Sequence, residues 1–96
     1  MASDSSHPLS SSTHVTVTTD NVVRVFRWED DAGINVRVSG AEVVIEANAA
    51  GLRTLAGHLL TLAQDGTPDG AHLHLDAANG LVEASVSLVL ERDDEM

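Results

Sequence analysis

Fifteen Asp and Glu residues against five Arg and no Lys give this 96-residue chain a formal net charge of −10, and it contains no cysteine. This charge argues against nucleic acid and anionic membrane surfaces as partners, because both require positive charge on the protein. The lack of cysteine excludes disulfides and thiolate metal sites. The charge permits a basic protein partner, although an acidic composition also serves simple solubility.

The chain predicts one domain between two unstructured ends. Residues 1–12 are rich in serine and are expected to form a disordered tail, and the acidic run 93–96 is expected to fray. The domain then spans residues 13–92. Its first half has the alternating, β-branched pattern of strands, at residues 14–18, 22–28, 34–38 and 42–47, and Asp20-Asn21 is a turn signal between the first two.

Residues 49–64 change to the spacing of an amphipathic helix. Asn48 is placed to cap its start, and Gly66 and Pro68 are placed to end it. Two more strands are expected at residues 71–76 and 86–92. The apolar residues of the helix fill one arc, which is expected to be its buried face: Leu52, Leu55, Ala56, Leu59, Leu60, Leu62 and Ala63.

The order β-β-β-β-α-β-β predicts an α+β fold, in which this helix packs on one face of an antiparallel sheet of five or six strands. Strand alternation assigns the two faces of the sheet. The face toward the helix would carry Ala71, Leu73 and Leu75, with Ile34, Val36, Val38, Val86, Leu88 and Leu90. The opposite face would carry His72, His74 and Asp76, with Asn35, Arg37, Ser85, Ser87 and Glu91. That polar face is either a docking surface or an ordinary solvated one.

The most chemically suggestive motif is His72-x-His74-x-Asp76, whose three side chains are expected to project from the same side of a strand. Two imidazoles and a carboxylate so placed could hold a divalent metal, which is an alternative to plain surface residues. No second cluster of His or Cys is present to complete a site, and His58 is expected on the helix flank, on the other side of the sheet. No metal or other cofactor is therefore assigned.

Catalytic patterns are not apparent. The serines lack the Gly-x-Ser-x-Gly elbow of a nucleophile, and the glycines do not form a phosphate-binding loop. Phe26 is expected in the core, whereas Trp28 is equally suited to the core and to a binding hot spot. It precedes an acidic loop, Glu29-Asp30-Asp31, which is expected to be solvated. Arginines on neighbouring strands, including Arg37, are expected to pair with Glu42 and Glu46 across the sheet.

The second half of the chain resembles a known family. The runs at residues 48–56, 59–63 and 69–76, and the Ser-x-x-Leu-x-Leu-Glu-Arg ending at residues 85–92, resemble the Imm32-type immunity proteins of polymorphic toxin systems. The resemblance covers about residues 42–92. It implies a non-enzymatic protein that binds and neutralises a cognate toxin, and it transfers no catalytic residues.

The leading hypothesis is therefore a cytoplasmic, non-enzymatic protein that binds a toxin and no nucleic acid or membrane. Its negative charge would suit a basic toxin. The alternatives are a small metal-binding protein that uses the His-x-His-x-Asp strand, and a structural homodimer that pairs exposed strand edges. The residues expected to contact the partner are His72, His74, Asp76, Arg37, Trp28, Glu29, Asp30 and Asp31.

Overall fold

The computed structural model of the chain describes residues 11–17 and 22–96. Its elements follow the predicted order: β1 (Ser11–Val17), β2 (Val23–Glu29), β3 (Ile34–Ser39), β4 (Glu42–Ala47), α1 (Ala49–Leu62), β5 (His72–Leu75) and β6 (Leu88–Glu91). The α+β class is thus confirmed. The predicted tail lies outside the described residues except for its last two, Ser11 and Ser12, which belong to β1. The predicted Asp20-Asn21 turn also lies outside them.

The strand pairing differs from the predicted single sheet. Within the described residues the strands form three antiparallel two-stranded sheets, β1–β2, β3–β4 and β5–β6. Residues 82–86 run beside β3 without forming a ladder: Val82 N donates to Ile34 O (3.0 Å), and Val86 N donates to Val36 O (2.9 Å). Val36 N donates to the Ser85 hydroxyl at 2.8 Å, where a strand would supply a carbonyl. The last strand therefore begins at Leu88, not at residue 86.

The helix begins where its cap was predicted. The Asn48 side chain accepts a hydrogen bond from Gly51 N at 2.7 Å, which satisfies one of the unpaired amides of the first turn. The same side chain also holds the preceding loop, because it accepts from Gly33 N at 3.0 Å and donates to Asp31 O at 2.8 Å. The helix ends at Leu62 with Ala63 as its C-cap, and Gly66 has a positive φ of 89° in the turn that follows.

The buried face of the helix is only partly the predicted one, since Leu55 and Leu62 are buried as expected but other predicted residues are not. Its buried residues are Ala50, Gly51, Thr54, Leu55, His58 and Leu62, whereas Leu52, Leu59 and Leu60 are exposed. His58 was expected on the helix flank, yet it is completely buried, with its ring 5.5 Å from that of Phe26 and 4.9 Å from that of Trp28. The helix packs chiefly on β2 through this aromatic contact, and that contact rotates the predicted leucines away from the core.

The remaining core follows the strand alternation in most places. Ile34, Val36, Ala71, Leu73 and Leu75 are buried as predicted, and Leu88 and Leu90 pack against them. Val38 and Val86 are exposed, contrary to prediction. The Val38 position lies near the end of the β3–β4 hairpin, beyond the reach of the helix. Phe26 and Trp28 are both buried, which confirms the core assignment of Phe26.

Candidate functional site

The predicted pair of histidines projects from the outer face of β5. His72 and His74 are exposed, with ring centroids 5.0 Å apart, while Leu73 and Leu75, which alternate with them, point into the core. His72 Nδ1 lies 3.0 Å from Gly70 O, a contact that orients its ring. The residues that lie opposite on β6 are Glu91 and Val89. The outer face of the hairpin thus presents two imidazoles beside a carboxylate and an apolar side chain.

Asp76 does not join this pair, because its side chain closes the turn that follows β5. Its carboxylate accepts a hydrogen bond from Ala78 N at 2.9 Å. Asn79 completes the turn by accepting from Asp76 N at 2.7 Å and donating to His74 O at 2.9 Å. Across residues 11–17 and 22–96, no three His, Asp or Glu side chains come together as metal ligands. The proposed ligand trio is not assembled.

The acidic loop is only partly a source of free charge. Glu29 forms a two-pronged ion pair with Arg53 of α1, with both N–O distances at 2.8 Å. Hydrogen bonding and charge from Arg53 lower the pKa of Glu29, and Glu29 in turn raises the pKa of Arg53. Asp30 and Asp31 remain exposed. The loop therefore offers a partner two carboxylates rather than three, and the ion pair fixes the loop to the helix.

Trp28 lies beside this loop but belongs mainly to the core. Its side chain is 5% exposed and contacts the His58 ring. The indole forms one wall of a surface recess of about 310 Å³, whose other walls come from the acidic loop and from the turn after β5. Glu29 and Asp30 line one side, and Asn79 and Gly80 line the other. This recess is where the structure brings two of the predicted site segments together.

Arg37 is engaged on a different hairpin. Its guanidinium pairs with Glu46 on the neighbouring strand at 3.1 Å, as predicted. Asn35 also donates to that carboxylate at 3.1 Å, and these two contacts lower the pKa of Glu46. The positive charge of Arg37 is compensated locally, so it contributes a hydrogen-bonded pair rather than a free cation to the surface.

Two structural features were missed by reasoning from sequence. Asn48 was recognised as a cap but not as the residue that also fastens the acidic loop, because the loop bonds join residues 15 and 17 positions apart. The exposed leucines of α1 were assigned to the core. Residues 49–62 contain no Asp, Glu or Lys, so charge alone did not show which side of the helix faces solvent.

The comparisons with known proteins concern the second half of the chain. A family model described as Immunity protein 32 matches residues 42–93, just over half of the chain. This chain belongs to that family. The match spans β4, α1, β5 and β6, and it includes His72 and His74. Trp28 and the acidic loop precede the matched region. No curated protein and no solved structure matches the chain.

The family defines a role in immunity toward a toxin, and therefore a protein partner. In the part of the chain that the structure describes, the single helix of this Immunity protein 32 member is too short to cross a membrane.

Proposed function

We propose that this chain binds a protein toxin in the cytoplasm and neutralises it by occupying its surface, without catalysing a reaction. The observation that carries the proposal is membership of the Immunity protein 32 family. The charge of −10 favours a toxin with a basic surface, since opposite net charges accelerate encounter.

Two exposed groups are proposed to contact the toxin. The first is the acidic loop, where Asp30 and Asp31 are exposed next to the recess at Trp28. The second is the outer face of β5, where His72 and His74 can donate or accept hydrogen bonds. The loop is held in place by Arg53 and Asn48, so its carboxylates are presented on a preorganised backbone, which reduces the entropy lost on binding.

The test is co-expression with a toxin gene that lies next to this gene, followed by titration calorimetry of the purified pair for affinity and stopped-flow mixing for the association rate. Wild-type protein is expected to restore growth of cells that express the toxin and to form a stoichiometric complex. Asp30→Asn/Asp31→Asn should slow association and reduce its salt dependence, because exposed charges act mainly on the encounter. His72→Ala/His74→Ala should weaken the complex with little effect on association.

A matched control removes two exposed carboxylates elsewhere, as Glu42→Gln/Glu83→Gln. This variant should bind like wild type. Failure of wild-type protein to bind or protect against the toxin would contradict the immunity function. Protection by wild type, with unchanged binding by both the loop and the histidine variants, would retain the function and reject these two contact groups.

A further inference from the structure

The helix α1 carries a second apolar face that nothing in the described fold covers. We name it the leucine stripe: Leu52, Ala56, Leu59, Leu60 and Ala63. These residues recur at the spacing that places side chains on one side of a helix. Leu52, Leu59 and Leu60 are 54%, 49% and 69% exposed. Contiguous exposed apolar surface is uncommon on a monomeric protein and marks an interaction site.

The stripe leads into a groove at the C-terminal end of the helix. The groove has a volume of about 510 Å³ and lies between α1 and β6, with Leu59, Ala63 and Val89 among its apolar lining residues. Val89 is 47% exposed, so it extends the apolar surface from the helix onto the sheet. Leu59 and Ala63 belong to both the stripe and the groove, so the two adjoin and can together receive a segment of another protein.

The rim of the groove is acidic. Glu91, Asp93 and Asp94 line it beside Arg92. The Arg92 guanidinium is engaged within the protein, because it pairs with Asp94 at 3.0 Å and donates to the carbonyls that end the helix, Leu62 O at 3.2 Å and Gln64 O at 3.0 Å. The rim therefore retains negative charge next to an apolar floor.

This combination specifies the chemistry of the occupant. A second copy of the chain would bring a like-charged rim and a net charge of −10 against the first, which opposes self-association. The chain's own first 23 residues contain no Arg or Lys and cannot complement the rim. We propose that the leucine stripe and the groove dock a segment of the toxin that presents apolar side chains flanked by Lys or Arg. This inference rests on the proposed immunity function.

The direct test uses a synthetic peptide of about 14 residues, with leucine and lysine arranged as an amphipathic helix. Titration into isotopically labelled protein should shift the methyl signals of Leu59, Leu60 and Val89. A peptide in which glutamate replaces lysine should bind at least about tenfold more weakly, because the acidic rim repels it.

Matched variants locate the binding surface. Leu52→Gln/Leu60→Gln should weaken binding of the Leu/Lys peptide by about tenfold or more, since it places amides where apolar contact is needed. The control Val38→Thr/Val43→Thr alters two equally exposed apolar residues, 63% and 65%, on the β3–β4 hairpin and should leave binding unchanged. Both variants change exposed side chains, so their urea midpoints should stay close to wild type.

The charge requirement is tested separately. Glu91→Gln on the rim should weaken binding by about two- to fivefold, whereas Glu42→Gln at the start of β4 should not. Absence of Leu/Lys binding, equal binding of the two peptides, or equal affinity of wild type and the Leu52→Gln/Leu60→Gln variant would overturn the proposal.

The same variants separate this inference from the function on which it rests. If wild type protects against the toxin and Leu52→Gln/Leu60→Gln protects equally with an unchanged dissociation constant, the stripe is rejected and the immunity function stands. If wild type neither binds nor protects against the toxin, the immunity function and the assignment of a toxin segment fail together. The peptide titration still decides in that case whether the surface takes a basic, apolar segment.

Discussion

Gly80 is expected to tolerate a single added methyl group poorly. Its φ is 119°, a conformation that residues with a Cβ rarely adopt, and an added Cβ would overlap the six-membered ring of Trp28. The backbone strain costs about 1–3 kcal/mol, and displacing the packed indole costs about 1–3 kcal/mol more. Gly80→Ala should therefore lower the free energy of unfolding by about 2–6 kcal/mol, a large share of the stability of a domain this size.

The assay can observe this contact directly, because Trp28 is the only tryptophan in the chain. Urea unfolding followed by tryptophan fluorescence gives the loss in free energy, and a shift of the native emission to longer wavelength reports displacement of the indole. Gly66→Ala is the control: φ there is also positive, at 89°, but nothing lies within 4 Å of the added Cβ. Equal losses for the two variants would refute the claim that the Trp28 contact makes Gly80 necessary.

Three further predictions concern the helix and its attachment to the acidic loop. Asn48→Ala should lower the free energy of unfolding in urea by about 2–3 kcal/mol, because the helix cap and the bonds to loop 31–33 are lost together. A loss no larger than that of an ordinary substitution at an exposed position would contradict this prediction. Gly57→Ala should raise the free energy of unfolding by about 1 kcal/mol, as measured by thermal melting, since open space surrounds this mid-helix glycine. An unchanged stability would contradict this prediction. Arg53 lowers the pKa of Glu29 from 4.5, so their pair stabilises the fold above that pH and is lost as pH falls through the lowered value. The urea midpoint should therefore fall more between pH 7 and pH 3 for wild type than for Glu29→Gln. Equal falls would contradict a stabilising role of the Glu29–Arg53 ion pair.

The elements could be predicted from sequence because their signals are local. The alternation of His72-Leu73-His74-Leu75 identifies both a strand and its inward side, and the structure confirms that the two leucines are buried and the two histidines exposed. Pairing between hairpins depends instead on residues far apart in the chain. The hydroxyl of Ser85 satisfies Val36 N in place of a strand carbonyl, so the predicted continuous sheet is interrupted there. A serine in an alternating stretch gives no sign of this.

The buried face of the helix could not be predicted for a related reason. Periodicity shows that α1 has an apolar arc, but the choice of arc facing the core is made by what it packs against. His58 fits between Phe26 and Trp28, and this aromatic contact outweighed the burial of Leu60. A histidine carries little weight in a hydrophobic pattern, so the pattern pointed to the leucines. For the same reason the leucine stripe was not predicted as a binding surface, because its residues were assigned to the core.

The proposed contact regions differ in their relation to the family. The leucine stripe, His72 and His74, and all of the groove except Asp94 lie within residues 42–93, the region that matches Immunity protein 32, whereas Asp30 and Asp31 lie outside it. Under the proposed immunity function, we expect the surface in the matched region to supply the general binding mode and the loop outside it to supply preference for one toxin. Changes to the stripe should therefore weaken binding to every toxin the chain recognises. Changes to Asp30 and Asp31 should alter the ranking among related toxins, because charge at the edge of an interface contributes more to specificity than to total affinity.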